Sequence, residues 1–181
     1  KQIHERILVF AKGRGLPKSD EPESGLSALS TRKINKPLRN RTHVVVIGAS
    51  TGGPVALMEI LARLPENFPV PIVLVQHMPE NFTKAFAERL DKHCKIRVKE
   101  ACDGDKLEPG LALLAPGGKQ IMFDKTRKNI VKVIPGDDRV SFKPSVDITF
   151  ASAANVFSDR VLGIVLTGMG TDGCKGAGLL K

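Results

Sequence analysis

The sequence predicts an α/β protein with a doubly wound, mostly parallel sheet and a small antiparallel hairpin excursion near 96–134. Short apolar runs at Val44–Ile47, Ile72–Val75 and Val161–Leu166 alternate with segments of helical spacing, the pattern of a parallel sheet with right-handed crossovers. Each run leads directly into a distinctive motif: Gly48-Ala49-Ser50-Thr51-Gly52-Gly53, Gln76-His77, and Gly168-Met169-Gly170-Thr171-Asp172-Gly173. Residues 96–134 instead break into brief apolar runs separated by Asp-Gly, Pro-Gly and Gly-Gly turns, the spacing of antiparallel strands.

The elements follow in order. Ile3, Ile7, Phe10 and Ala11 stand at helical spacing and predict a short amphipathic helix over 2–12. Residues 13–42 carry Gly, Pro, Ser, Lys and Arg with isolated apolar positions, which is linker composition, so a domain boundary falls near 42. Strand 44–47 turns through glycines into a helix beginning near Pro54, a favourable first helical residue, with Val55, Leu57, Met58, Leu61 and Leu64 as its apolar face. Strand 72–75 is followed by a helix near 80–92 that turns Phe82, Phe86, Ala87 and Leu90 inward. The runs Ile96–Val98, Leu111–Ala115, Gln120–Phe123 and Ile130–Ile134 make up the antiparallel excursion. A helix near 145–157, with Ser145 as its N-cap, returns the chain to strand 161–166.

A chain of 181 residues fits about one domain. Its net charge of +9 sits mostly in the leader: residues 1–43 carry a net +6 and residues 44–181 only +3. With no Trp, no Tyr and eight Phe there are few platforms for stacked bases, so nucleic acid is not an expected partner. No apolar run approaches the ~18 residues a membrane span requires, so membrane insertion is not expected. Cys94, Cys102 and Cys174 are odd in number, form no C-x-x-C pair and follow no secretory signal. They read as bystander thiols of a reducing cytoplasm. No metal-ligand spacing is present, and the chemistry below needs no cofactor.

Gly48-Ala49-Ser50-Thr51-Gly52 fits G-x-S-x-G, in which small residues let a strand turn sharply into a helix and present the serine oxygen at the tip. The stretch lacks the G-x-G-x-x-G spacing of a dinucleotide turn, and the next strand ends in Gln76-His77 rather than a ribose-binding acid. Gly53-Pro54 replaces the Gly-Lys-Ser/Thr of a P-loop. A short-chain dehydrogenase would need a catalytic tyrosine, and the chain has none. Taken singly, Ser50 could be a turn residue, His77 a satisfied polar residue at a strand end, and Asp172 between glycines part of a turn. Their conjunction carries more. A serine hydroxyl needs a base titrating near neutrality, and the imidazole needs a carboxylate to fix its tautomer. Loops leaving the carboxyl ends of neighbouring parallel strands meet in one crevice, so Ser50, His77 and Asp172 are candidates for a hydrolytic triad. The rival is a non-catalytic module in which the Gly-rich loops bind an anion or a partner and the three residues are structural.

The order Ser50, His77, Asp172 differs from the Ser…Asp/Glu…His order of α/β-hydrolases. Residues 43–181 closely resemble the catalytic domain of the chemotaxis protein-glutamate methylesterase family, CheB. The resemblance rests on Val45-Val46-Ile47-Gly48-Ala49-Ser50-Thr51-Gly52-Gly53-Pro54, Val75-Gln76-His77-Met78-Pro79, Leu113-Leu114-Ala115-Pro116-Gly117-Gly118, Lys143-Pro144-Ser145-Val146-Asp147 and Leu166-Thr167-Gly168-Met169-Gly170-Thr171-Asp172-Gly173. It implies that Ser50 attacks the methyl ester of a receptor glutamate, or the amide of a receptor glutamine, with His77 as base and Asp172 orienting it. It further implies that Thr51 and Met169 line the site, with backbone N–H groups there as oxyanion donors. The implied partners are methyl-accepting chemotaxis receptors, an upstream receiver domain and a chemotaxis histidine kinase. By the same likeness, residues 1–42 would be the end of a receiver domain plus a linker, and the catalytic domain would be C-terminally truncated at Lys181.

Overall fold

A computed structural model describes residues 8–11 and 42–180 of the chain. In chain order the elements are β1 (Leu8–Ala11), β2 (Val44–Ala49), α1 (Gly53–Ala62), β3 (Ile72–Gln76), α2 (Glu80–His93), β4 (Arg97–Glu100), β5 (Leu111–Leu114), β6 (Lys119–Phe123), β7 (Val131–Pro135), α3 (Val146–Phe157), β8 (Val161–Val165) and α4 (Cys174–Leu179). The main sheet has the order β1-β8-β2-β3-β5-β4, with every pairing parallel except β1 with β8. β6 and β7 form a separate antiparallel hairpin.

The strands of the sheet's centre are buried on both faces, which explains why they read as continuous apolar runs. Alternate residues divide them between two cores. Val45, Ile47, Ile72 and Leu74 pack with Leu57 and Leu61 of α1 and Phe86 and Leu90 of α2. Val44, Val46, Val73 and Val75 pack on the opposite side with Phe150, Ala153 and Val156 of α3 and with Ile121 and Phe123 of the hairpin. Phe150 is fully buried at the centre of this second core, and Phe150→Ala is expected to destabilise the fold by about 3–5 kcal/mol. Urea unfolding measures this; a loss below about 1 kcal/mol would mean that the core closes over the gap.

Local chemistry sets the boundaries. Gly52, at φ +80°, is the N-cap of α1, and proline follows in its first turn as the spacing predicts. Ser145 caps α3, accepting from the Ile148 N–H at 3.4 Å, also as predicted. In the turn after β6, Asp124 accepts from the N–H groups of Arg127 and Thr126, each at 2.8 Å. The Arg127 N–H above all holds the Asp124 carboxyl well below the usual carboxylate range.

The structure corrects four expectations. Only residues 119–135 of the expected excursion form the antiparallel hairpin, because the runs near 96–98 and 111–115 join the main sheet as β4 and β5. Leu111–Leu114 is buried along its whole length, as a parallel strand covered on both faces must be. Residues 8–11 of the expected helix over 2–12 instead pair along the edge of β8, where unpaired backbone groups template a strand. The rest of that helix and most of the expected linker lie outside the described residues. Val55 and Phe82, expected to face inward, are 66% and 61% exposed. Among the described residues no helix is long and apolar enough to cross a membrane.

Candidate active site

The strand order reverses at β2, whose neighbours are β3 and β8, and the crevice of such a sheet opens where neighbouring strands turn apart at their carboxyl ends. Ser50 follows β2, His77 follows β3, and Asp172 lies between β8 and α4. These three side chains, separated by up to 122 positions in sequence, wall one small cavity of about 60 Å³ together with Gly168 and Met169. A wider, open groove of about 440 Å³ shares Ser50 and His77 as its wall and is lined by Thr51, Met78, Pro79 and Phe82. Phe82 is thus exposed because it edges a groove beside the serine.

Two kinds of contact bring the loops together. Gln76, 2% exposed, donates from Nε2 to the carbonyl oxygens of Ser50, at 2.9 Å, and of His77, at 3.0 Å. It therefore ties the loop after β2 to the loop after β3. The Ser50 N–H donates to the carbonyl of Thr167 at 3.0 Å, tying the serine to the loop after β8. Small residues permit the approach: a Cβ on Gly168 would lie 2.7 Å from Ser50 Cβ, and one on Gly48 would lie 2.5 Å from Val146 Cγ1.

Asp172 is held by the start of α3. Its Oδ1 accepts from Ser145 Oγ at 2.8 Å and from the Asp147 N–H at 3.0 Å, and its Oδ2 from the Val146 N–H at 2.7 Å. Asp147 returns the arrangement, its Oδ1 accepting from the N–H groups of Gly173, at 2.9 Å, and Gly176, at 2.7 Å, at the start of α4. Each aspartate caps the helix on the other's segment. Burial pushes the Asp172 carboxyl up, but the hydrogen bonds from His77, Asp147, Val146 and Ser145 together outweigh it and leave the group below its ordinary value.

His77 Nε2 lies 2.7 Å from Asp172 Oδ2, with the imidazole 16% and the carboxylate 4% exposed. A carboxylate only accepts, so Nε2 is the protonated nitrogen of the neutral ring and the lone pair sits on Nδ1. Nδ1 is buried and has no hydrogen-bond partner. Among the described residues no hydrogen bond joins the Ser50 hydroxyl to the imidazole; the two groups share a cavity wall. Nor do the backbone N–H groups of Thr51 and Met169 find an acceptor among those residues, which leaves two free donors beside Ser50. Met169 is 82% exposed.

The expected candidates Ser50, His77, Asp172, Thr51 and Met169 all border this crevice. Reading the sequence missed Gln76, Asp147 and Phe142 as parts of it. Gln76 was detectable as a polar residue ending an otherwise apolar parallel strand. Asp147 lies inside Lys143-Pro144-Ser145-Val146-Asp147, yet nothing local reveals that it caps a second helix. Among the described residues no group of three His, Cys, Asp or Glu side chains could hold a metal ion. The three cysteines are free, and burial, with a smaller contribution from Asp91, raises the Cys94 thiol.

Comparison with known proteins fits this geometry. A family described as CheB methylesterase matches residues 45–181. The chain is 49% identical over 203 aligned positions to a Saccharophagus degradans protein named protein-glutamate methylesterase/protein-glutamine glutaminase 1, covering 100% of this chain and 55% of that protein. It is 65% identical over 180 positions to protein-glutamate methylesterase/protein-glutamine glutaminase 3 of Pseudomonas syringae pv. syringae, covering 99% of this chain and 44% of that one. It thus spans about half the length of these curated relatives. Its structure is similar to the crystal structure of the Thermotoga maritima CheB methylesterase catalytic domain, with a TM-score of 0.73 and 42% identity over 77% of this chain and 74% of that one.

Proposed function

The chain belongs to the CheB methylesterase family, and from that premise we propose that it is a serine hydrolase acting on glutamate methyl esters and glutamine amides of chemoreceptors. The observation that carries this reading is the His77 ring: Nε2 bonded to Asp172 at 2.7 Å, and an unpartnered Nδ1 in a ring that shares a cavity wall with Ser50.

In this mechanism His77 Nδ1 takes the Ser50 hydroxyl proton as Oγ attacks the ester carbonyl. Asp172 holds the ring and stabilises it once it carries that proton. The oxyanion of the tetrahedral intermediate meets the N–H groups of Thr51 and Met169, where one donor is typically worth about 3–4 kcal/mol. As the tetrahedral intermediate collapses, His77 gives the proton to the leaving methoxy oxygen, releasing methanol, or to the leaving amide nitrogen of a glutamine, releasing ammonia. Water then attacks the glutamyl-enzyme by the same route and releases free glutamate. The open groove past Phe82 gives a receptor segment room to lie beside Ser50. No cofactor enters any step.

We place the protein in the cytoplasm, where receptor methylation sites face it, with residues 1–42 as the junction to a receiver domain phosphorylated by a chemotaxis histidine kinase. Relatives about twice as long as this chain support that arrangement. The test is methanol release from a methylated receptor fragment. Release by the protein that disappears when Ser50 loses its hydroxyl supports the reading; no release from a folded protein counts against it.

A further inference from the structure

Phe142 lies face to face with the His77 imidazole, the ring centroids 4.3 Å apart and the planes only 8° from parallel. Phe142 as a residue is 36% exposed, so burial in a core does not explain its position. Its segment is pinned instead. Gln120, 3% exposed, donates from Nε2 to the Phe142 carbonyl at 2.7 Å and accepts at Oε1 from the Ser145 N–H at 2.8 Å. One buried amide therefore fixes both ends of residues 142–145. Ser145 Oγ in turn donates to Asp172. The same short segment thus governs the face of the imidazole and the carboxylate at its edge.

These two contacts restrain different motions. The bond from Nε2 to Asp172 fixes a distance along one line but leaves the ring free to turn about it, and the χ2 well of histidine is broad. A flat ring stacked on the face removes that rotation. Proton transfer depends on this angle, because the Nδ1 lone pair lies in the imidazole plane and must be aimed at the serine oxygen.

We propose that Phe142 is a positioning residue that sets the plane of His77 for proton exchange with Ser50, an inference resting on the reading of His77 as the base. It acts through the flatness of its ring. Leucine occupies a similar volume but offers no flat face, whereas tyrosine does.

The test compares the protein with Phe142→Leu, Phe142→Tyr and Ser50→Ala by ester kinetics and by nuclear magnetic resonance of the imidazole. Phe142→Leu is expected to lower kcat about 10- to 100-fold with KM within about twofold, and Phe142→Tyr to restore kcat to within about threefold of the parent. The upfield ring-current shift of the His77 carbon-bound protons should vanish in Phe142→Leu and persist in Phe142→Tyr. Exchange of the Nε2 proton should quicken about tenfold in Phe142→Leu. Parental kcat in Phe142→Leu, or equal losses in both Phe142 variants, would overturn the proposal. Parental turnover in Ser50→Ala would overturn the triad instead, and the ring-current and exchange data would still decide whether Phe142 holds the imidazole.

Discussion

Ser50→Ala should lower ester turnover by about 10⁴-fold or more while leaving the fold intact. The size of the loss follows from the proposed division of labour: without an attacking oxygen, His77 has no hydroxyl to deprotonate and its orientation by Asp172 serves nothing, so only binding and the proposed Thr51 and Met169 donors remain. Stability should hold because the serine is fixed by its backbone. Its N–H donates to Thr167, and its carbonyl accepts from the Gly53 N–H at 2.8 Å and from Gln76. Among the described residues no hydrogen bond engages the hydroxyl, and alanine keeps the Cβ that faces Gly168. The change in unfolding free energy should therefore stay within about 0.5 kcal/mol. Methanol release measures the first expectation and urea unfolding the second. A folded variant with parental turnover would return the glycine-rich loop to the status of a binding module.

The contrast between Ser50 and Phe142 indicates what the sequence makes legible. Parallel strands buried on both faces appear as unbroken apolar runs, and their carboxyl ends are where loops converge, so Val44–Ile47, Ile72–Val75 and Val161–Leu166 located the crevice and its three side chains together. Ser145 was legible as a cap because capping is a local hydrogen bond. Contacts decided by distant pairing were not. Leu111–Leu114 could belong to a hairpin or to the main sheet, and only its partner β3 settles which. Phe10 and Ala11 continue a helical spacing from Ile3 and Ile7, yet the edge of β8 takes Leu8–Ala11 as a strand. α4 went unread because Cys174-Lys175-Gly176-Ala177-Gly178-Leu179 has two glycines and too few turns to show a period. Its start depends on Asp147, a residue 26 positions upstream of Gly173. Phe142 belongs to the same class, since nothing near it in sequence indicates that a histidine 65 positions earlier will lie against its face.

Asp172→Asn is expected to damage both catalysis and the fold, and pH separates the two effects. The carboxylate accepts from Ser145 Oγ, the Asp147 N–H, the Val146 N–H and His77 Nε2. An amide has one accepting oxygen, so its NH₂ must face a donor on one side or the other. If Nε2 meets that NH₂, the imidazole does best by moving its own proton to Nδ1, which removes the base, and turnover should fall about 10⁴-fold. If instead the NH₂ takes the Oδ1 side, the Asp147 N–H at the start of α3 loses its acceptor and Ser145 Oγ must turn to accept, at a cost of about 1–3 kcal/mol. The parent's carboxyl titrates below its ordinary value of about 3.9, so its extra stabilisation is complete above that pH and disappears as pH falls through the lower, folded value. The gap in unfolding free energy between parent and Asp172→Asn should therefore be full at pH 7 and narrow below about pH 4. Urea unfolding across that range checks it. A gap that stayed constant into acid would mean that the lost stability comes from packing around residue 172 and not from the charge that α3 and His77 share.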